Sequence, residues 1–256
     1  LKTSAFTPLL ALLLLASAAF NTSCTPQGKK KGEAPDPAVV GGAPAPLPTS
    51  TGTKDSYNRV STNAPFVALT FDDGPHPTNT PRLLDILKAR NVKATFYVVA
   101  TNAKRYPEIM RRIVAEGHEI GNHTITHPNL SKLSADGVRN ELRACHDAIV
   151  STTGVAPRTM RPPYGAITAA QKTWIKKEFG YPTILWSVDP EDWKKPGSGT
   201  VTSRLVSGAT PGGILLVHDI HASTIDAMPA TVDQLLAKGF RFVTVTQLIA
   251  MEQPGR

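Results

Sequence analysis

The second half of the first hundred residues sets the pattern for the chain that follows. Phe66-Val67-Ala68-Leu69 is an unbroken apolar run, the signature of a buried strand, and it ends in Thr70-Phe71-Asp72-Asp73-Gly74-Pro75. From there strand-like and helix-like segments alternate. Leu83, Leu84, Ile86 and Leu87 mark a helix opened by Thr80-Pro81, with Pro at its first position. Ala94–Val99 reads as a strand, and a helix from Pro107 is closed by Gly117. A short strand near Glu119-Ile120 leads into Gly121-Asn122-His123. Ser134 caps a long helix whose stripe is Val138, Leu142, Cys145 and Ile149. A helix around Trp174-Ile175 ends at Gly180. Strands follow at Thr183–Trp186 and Ile214–Val217, then a helix around Val232–Leu236, a strand Phe242–Val245 and a final helix with Leu248-Ile249. Repeated β-α units predict an α/β fold with a mainly parallel sheet, as a barrel or a doubly wound sheet. The polar residues of interest sit where strands end, and in barrels that face carries the active site.

The first 59 residues have a different character. Residues 1–23 read as an export signal, with Lys2 before the short apolar core Leu9–Ala16 and small residues after it. That core is too short for a comfortable membrane span. The segment resembles a bacterial lipoprotein signal, in which Cys24 is lipidated and becomes the new N-terminus. Asn21 departs from that pattern, because an aliphatic residue is expected there, and cleavage after Ala18 or Ala19 is the alternative. Residues 24–59, rich in Pro, Gly, Lys, Ser and Thr, bury too little apolar area to offset their ordering entropy and read as a tether. Residues 60–256 are left as the folded domain. An envelope location follows, lipid-anchored to a membrane or, on the alternative, soluble and exported.

Composition narrows the class. The chain has 256 residues, 41% of them hydrophobic, enough for one sizeable α/β domain. The net charge is +8, part of it in Lys29-Lys30-Lys31. The remaining basic residues are scattered and not interleaved with aromatics, which argues against nucleic acid as a partner. The two cysteines, Cys24 and Cys145, have unlike settings and are not paired; Cys145 reads as a small buried apolar residue.

The chemistry begins with the two carboxylates of Asp72-Asp73, which repel unless a cation or shared proton relieves them. Alone, Asp-Gly-Pro is ordinary turn chemistry. His123-Thr124-Ile125-Thr126-His127 adds two imidazoles four apart, which share a face on a helical turn, a metal-ligand spacing. The pair is similar to the metalloprotease H-E-x-x-H helix, but Thr124 stands in place of the glutamate base, which counts against a protease. With Asp73 the set becomes two His and one Asp, leaving a coordination position open. Asp72 is then the candidate base, kept ionised and oriented by Arg161. His218 suits a general acid if Asp192 or Asp189 holds it protonated. His76 and His221 have no assigned role.

These residues fall in five motifs in order: TFDDGP at Thr70–Pro75, HTITH at His123–His127, RPPYG at Arg161–Gly165, DPEDW at Asp189–Trp193 and LVH at Leu216–His218. The chain resembles a polysaccharide deacetylase of carbohydrate esterase family 4, the NodB-homology domain, from about Phe66 to Ile249. The resemblance implies a distorted, seven-stranded (β/α) barrel. It implies a divalent metal on Asp73, His123 and His127, usually zinc, with cobalt, nickel or manganese as alternatives. Asp72 would be the base and His218 the acid, oriented by Arg161 and Asp192. The Tyr164 backbone N–H would help hold the oxyanion, and Trp193 and Leu216 would wall the acetyl pocket. The implied substrate is an N-acetylated polysaccharide, peptidoglycan before chitin-type polymers, acted on by a monomer. The alternatives are an acetyl xylan esterase of the same family, a hydrolase of small cyclic amides or imides, and a sugar-binding module without turnover.

Overall fold

A computed structural model describes Leu1 and residues 52–253. The export signal, Cys24 and most of the tether lie outside the described residues.

Seven strands and eight α-helices follow one another in the described chain. The strands are β1 Ser56–Tyr57, β2 Phe66–Asp72, β3 Thr95–Val98, β4 Glu119–Asn122, β5 Thr183–Ile184, β6 Ile214–His218 and β7 Arg241–Phe242. The helices are α1 Asn79–Ala89, α2 Ala100–Arg105, α3 Pro107–Ala115, α4 Ala135–Thr153, α5 Ala169–Phe179, α6 Ser198–Gly208, α7 Ala222–Ala237 and α8 Val245–Ala250. All ladders are parallel. The continuous one runs β4-β3-β2-β6, with β7 laid along the first residues of β2 and β1 beside β5.

Single parallel bridges carry the wall onward. Asn122 bridges Met160, Met160 bridges Thr183, and Val188 bridges Leu215, which returns the wall to β6. The result is a distorted α/β barrel whose far side is stitched by isolated residues instead of full strands.

Strand alternation decides which side chains reach the interior. Val67, Leu69 and Phe71 of β2 join the large apolar cluster under the helices, with Phe96, Val98, Leu215 and Val217. Their neighbours face inward: Ala68, Tyr97 and Ile214 meet Tyr57, Val245 and Leu248 in a second cluster. Thr70, Asp72, Leu216 and His218 continue these inward positions toward the C-terminal ends of the strands. The register pairs Asp72 with His218 directly across β2 and β6. Two candidate groups therefore stand on neighbouring strands about 5 Å apart along the ladder.

Several boundaries differ from the sequence expectation. The folded domain begins before residue 60, because β1 pairs with β5 and Tyr57 is buried, its hydroxyl donating to Glu252 at 3.0 Å. The tether expected over 24–59 is therefore shorter at its C-terminal end. Pro81 is the third residue of α1, not the first; His76 Nδ1 instead accepts from the N–H groups of Thr78 and Asn79 at the helix start. The strand expected at Phe242–Val245 stops at Phe242, because Thr244 and Gln247 form a capping box that starts α8 at Val245. Helices α2 and α6 have no counterpart in the sequence reading. In α6, Ser, Gly, Thr and Val dilute the helical signal, and burial of Val201, Leu205 and Val206 holds the helix in place.

Candidate active site

The site grows from the end of β2. Asp72 is its last residue and points inward, almost fully buried. The next residue would point outward on a continued strand. Asp73 instead has φ of 74°, which turns its side chain back toward the interior, so two adjacent carboxylates share one pocket. The Asn102 side-chain amide donates to the Asp73 carbonyl at 2.8 Å and steadies that turn.

Arg161 answers the Asp72 charge. It is fully buried, and its Nη1 donates to Asp72 Oδ1 and to Thr70 Oγ1, each at 2.7 Å. Nε reaches the Ile184 carbonyl at 3.2 Å and Nη2 the Leu185 carbonyl at 3.1 Å. The guanidinium lies 4.3 Å from the Tyr97 ring centroid and 5.8 Å from that of Trp186. A buried cation with its donors engaged and an aromatic face beside it is held in one orientation, and it holds Asp72 in turn.

The two histidines of HTITH do not lie on a helical turn, as the spacing led us to expect. Residues 123–127 form a loop in which Thr124 has φ of 70° and His127 φ of 61°. Both imidazoles nevertheless converge on Asp73. Its Oδ1 is 3.4 Å from His123 Nε2 and 3.2 Å from His127 Nε2. One ligand atom from each of Asp73, His123 and His127 falls within 4.8 Å of the others, the only such group among the described residues.

Three observations fit a cation there. Asp73 Oδ1 is buried without a hydrogen-bond partner. His123 Nδ1 sits 2.7 Å from the Arg161 carbonyl, so it carries the hydrogen and leaves Nε2 free to ligate. Burial alone would raise the Asp73 carboxyl, but the His123 and His127 imidazoles beside it outweigh that and hold the group well below the usual carboxylate range.

The opposite wall carries His218. Its Nδ1 is 2.8 Å from Asp192 Oδ1, and its backbone N–H donates to Asp192 Oδ2 at 2.8 Å. Thr224 Oγ1 donates to the same Oδ2 at 2.7 Å. Burial pulls the imidazole pKa down, but Asp192, with Asp72 and Asp73 beyond it, pushes it up to about 9. Asp192 is therefore the partner of His218; Asp189 instead accepts from the Glu191 N–H at 2.7 Å and shapes the turn.

A cavity of about 430 Å³ joins these groups. Asp72, Asp73, His123, His127 and His218 line it, with Leu216, Trp193 and Tyr164 as walls. Leu216 is buried, whereas Trp193 and Tyr164 are 52% and 71% exposed, so neither aromatic is core packing. Tyr164 has φ of 61° and its ring packs edge-on to His127 at 4.7 Å between centroids.

Two residues without a role in the sequence reading also belong here. Trp186 lines the cavity, and its only signal was the end of an apolar run. His221 lines it too, its ring 6.1 Å from that of His218. Cys145 lies elsewhere, buried on α4, its thiol pushed up to about 12 by burial and therefore inert.

Known proteins are similar to this chain over most of its length. The polysaccharide deacetylase family model matches residues 59–184. A peptidoglycan-N-acetylglucosamine deacetylase of Listeria monocytogenes serotype 1/2a is 44% identical over 182 residues, 71% of this chain and 38% of the relative. This chain thus spans under two fifths of that protein's length. A chitooligosaccharide deacetylase of a Bradyrhizobium species is 46% identical over 154 residues, 60% of this chain and 70% of the relative. A solved peptidoglycan N-acetylglucosamine deacetylase superposes with a TM-score of 0.72 at 38% identity, covering 77% of this chain and 94% of that one. The chain belongs to the polysaccharide deacetylase family.

Proposed function

We propose that this protein removes N-acetyl groups from the sugars of a polysaccharide, peptidoglycan first and chitin-type N-acetylglucosamine polymers next. One observation carries the reading: the Asp73, His123 and His127 group shares a single cavity with an Arg-held carboxylate, Asp72, and an Asp-held imidazole, His218. The names of the relatives support the substrate class.

A divalent metal on Asp73, His123 and His127, zinc before cobalt, nickel or manganese, would supply Lewis acidity to the acetamide carbonyl and lower the pKa of the attacking water. Asp72 accepts the proton of that water, with Arg161 fixing its orientation. The Tyr164 backbone N–H helps hold the oxyanion. His218, charged through its pairing with Asp192, protonates the departing amine. Leu216 and Trp193 wall the acetyl methyl. A sugar-binding module without turnover is disfavoured because Asp72 and His218 are both present and each is held by its own partner.

The substrate is tested by acetate release from peptidoglycan fragments, N-acetylglucosamine oligomers and acetylated xylan, side by side. Release from the first two, with little from xylan, is expected. Release from xylan alone would move the reading to an ester hydrolase. The envelope setting rests on the N-terminal sequence. Lipidation of Cys24 predicts that the protein fractionates with membranes and that Cys24→Ser releases it; a wild-type protein found only in the soluble fraction would contradict the anchor.

A further inference from the structure

The loop that carries both candidate metal-ligating histidines has no backbone ladder of its own. Each N–H from Thr124 to His127 donates to a side chain. Thr124 N–H goes to Asn122 Oδ1 at 2.9 Å, and His127 N–H to Thr124 Oγ1 at 3.0 Å. Between them, Ile125 and Thr126 N–H both go to Glu141 Oε2, at 2.9 and 3.0 Å, and the Thr126 hydroxyl donates to Glu141 Oε1 at 2.7 Å. The neighbouring α4 residue ties the loop's other end, because the Asn122 amide donates to the Leu142 carbonyl at 2.8 Å. On the carbonyl side, Ala100 N–H donates to Thr124 at 3.0 Å and Thr101 N–H to Ile125 at 3.3 Å; together these bonds hold the positive φ at Thr124 and His127, since such conformations persist only when the surroundings over-determine them.

We propose that Glu141, outside all five motifs, is a positioning residue that fixes the spacing of His123 and His127 for metal binding. The inference rests on the metal-site reading above. Glu141 is half-buried on α4, a well-anchored helix capped by Ser134 and closed by Gly154. Its two oxygens take three donors from consecutive loop positions. A carboxylate accepting N–H bonds forms the stronger, charge-assisted kind. The rigid helix thereby holds the middle of a loop whose one internal bond runs from the His127 N–H to Thr124 Oγ1.

The test is a titration of the metal-free full chain with Co²⁺, reading affinity and the ligand-field spectrum for wild type, Glu141→Ala, Glu141→Gln and Thr126→Val. Glu141→Ala is expected to weaken Co²⁺ by about 10–100-fold, the usual cost of losing an outer-shell partner, and to alter the spectrum. Glu141→Gln keeps an acceptor oxygen for the two N–H groups and should recover most of the affinity. Thr126→Val loses only the hydroxyl bond and should cost less than Glu141→Ala. Wild-type affinity and spectrum in Glu141→Ala overturns the proposal. So does an equal loss in Glu141→Gln, because a role through the loop N–H groups requires rescue. If Glu141→Ala does not fold, the ordering of the other two variants against wild type decides. Wild type that binds no Co²⁺ at Asp73, His123 and His127 instead removes the metal-site reading itself, and this proposal with it.

Discussion

At the scale of single residues, the site is a set of charges each answered by one partner. Asp72 has Arg161, and His218 has Asp192. The His218 pairing has a pH signature. Its pKa is raised from the ordinary 6.5 to about 9, so the charged form and the stability it brings are fully present below 6.5 and lost as pH rises through about 9. A general acid must be protonated, so kcat should fall on the alkaline side through that range. Asp192→Asn removes the partner and should move the alkaline limb to lower pH; a limb that stays in place would show that His218 is not the acid. Gly74 is another single-residue constraint. A Cβ there would run into both carboxylate oxygens of the buried Asp219, whose pKa burial pushes up to about 7. Gly74→Ala should therefore displace Asp73 and weaken Co²⁺ binding, whereas an unchanged affinity would show that the turn can yield. That Asp72 and His218 would each need a charged partner was legible in the sequence, because acid–base chemistry needs particular residue types. From the residues alone Asp189 and Asp192 could not be told apart, since the choice depends on how a short 3-10 turn aims each side chain; only the family resemblance singled out Asp192.

At the scale of elements, strand ends were readable and loops were not. Apolar runs marked β2, β3 and β6; in the structure, period-two alternation turns Asp72 and His218 to the inner face. The His123–His127 loop misled because spacing alone implies a helix. Its conformation is set by Glu141, which lies beyond the motif. Helix α6 was illegible for the opposite reason: its own sequence is weakly helical, and packing on α7 holds it. Strand β1 hid inside a stretch of tether-like composition. Its anchor is Tyr57, buried among Val60, Ile184, Leu248 and Ile249. Tyr57→Ala should destabilise the domain by about 3–5 kcal/mol, the range for losing a large buried aromatic. Urea unfolding measures this, and a loss under about 1 kcal/mol would restore residues 52–59 to the tether.

At the scale of the whole molecule, a barrel stitched on one side by single bridges gathers five separated motifs at the C-terminal ends of its strands. The β-α alternation left a barrel and a doubly wound sheet open, and it was the family resemblance carried by those motifs that implied the barrel. Among the described residues no helix is long and apolar enough to cross a membrane. The most direct measurement is acetate release from N-acetylglucosamine oligomers by metal-free protein titrated with Zn²⁺. We expect activity to rise to a plateau at one metal per chain. Asp72→Asn, carrying the same metal, should fall in kcat by about 10²–10⁴-fold, the span of a lost general base. Acetate release that needs no metal, or that survives undiminished in Asp72→Asn, would contradict the account.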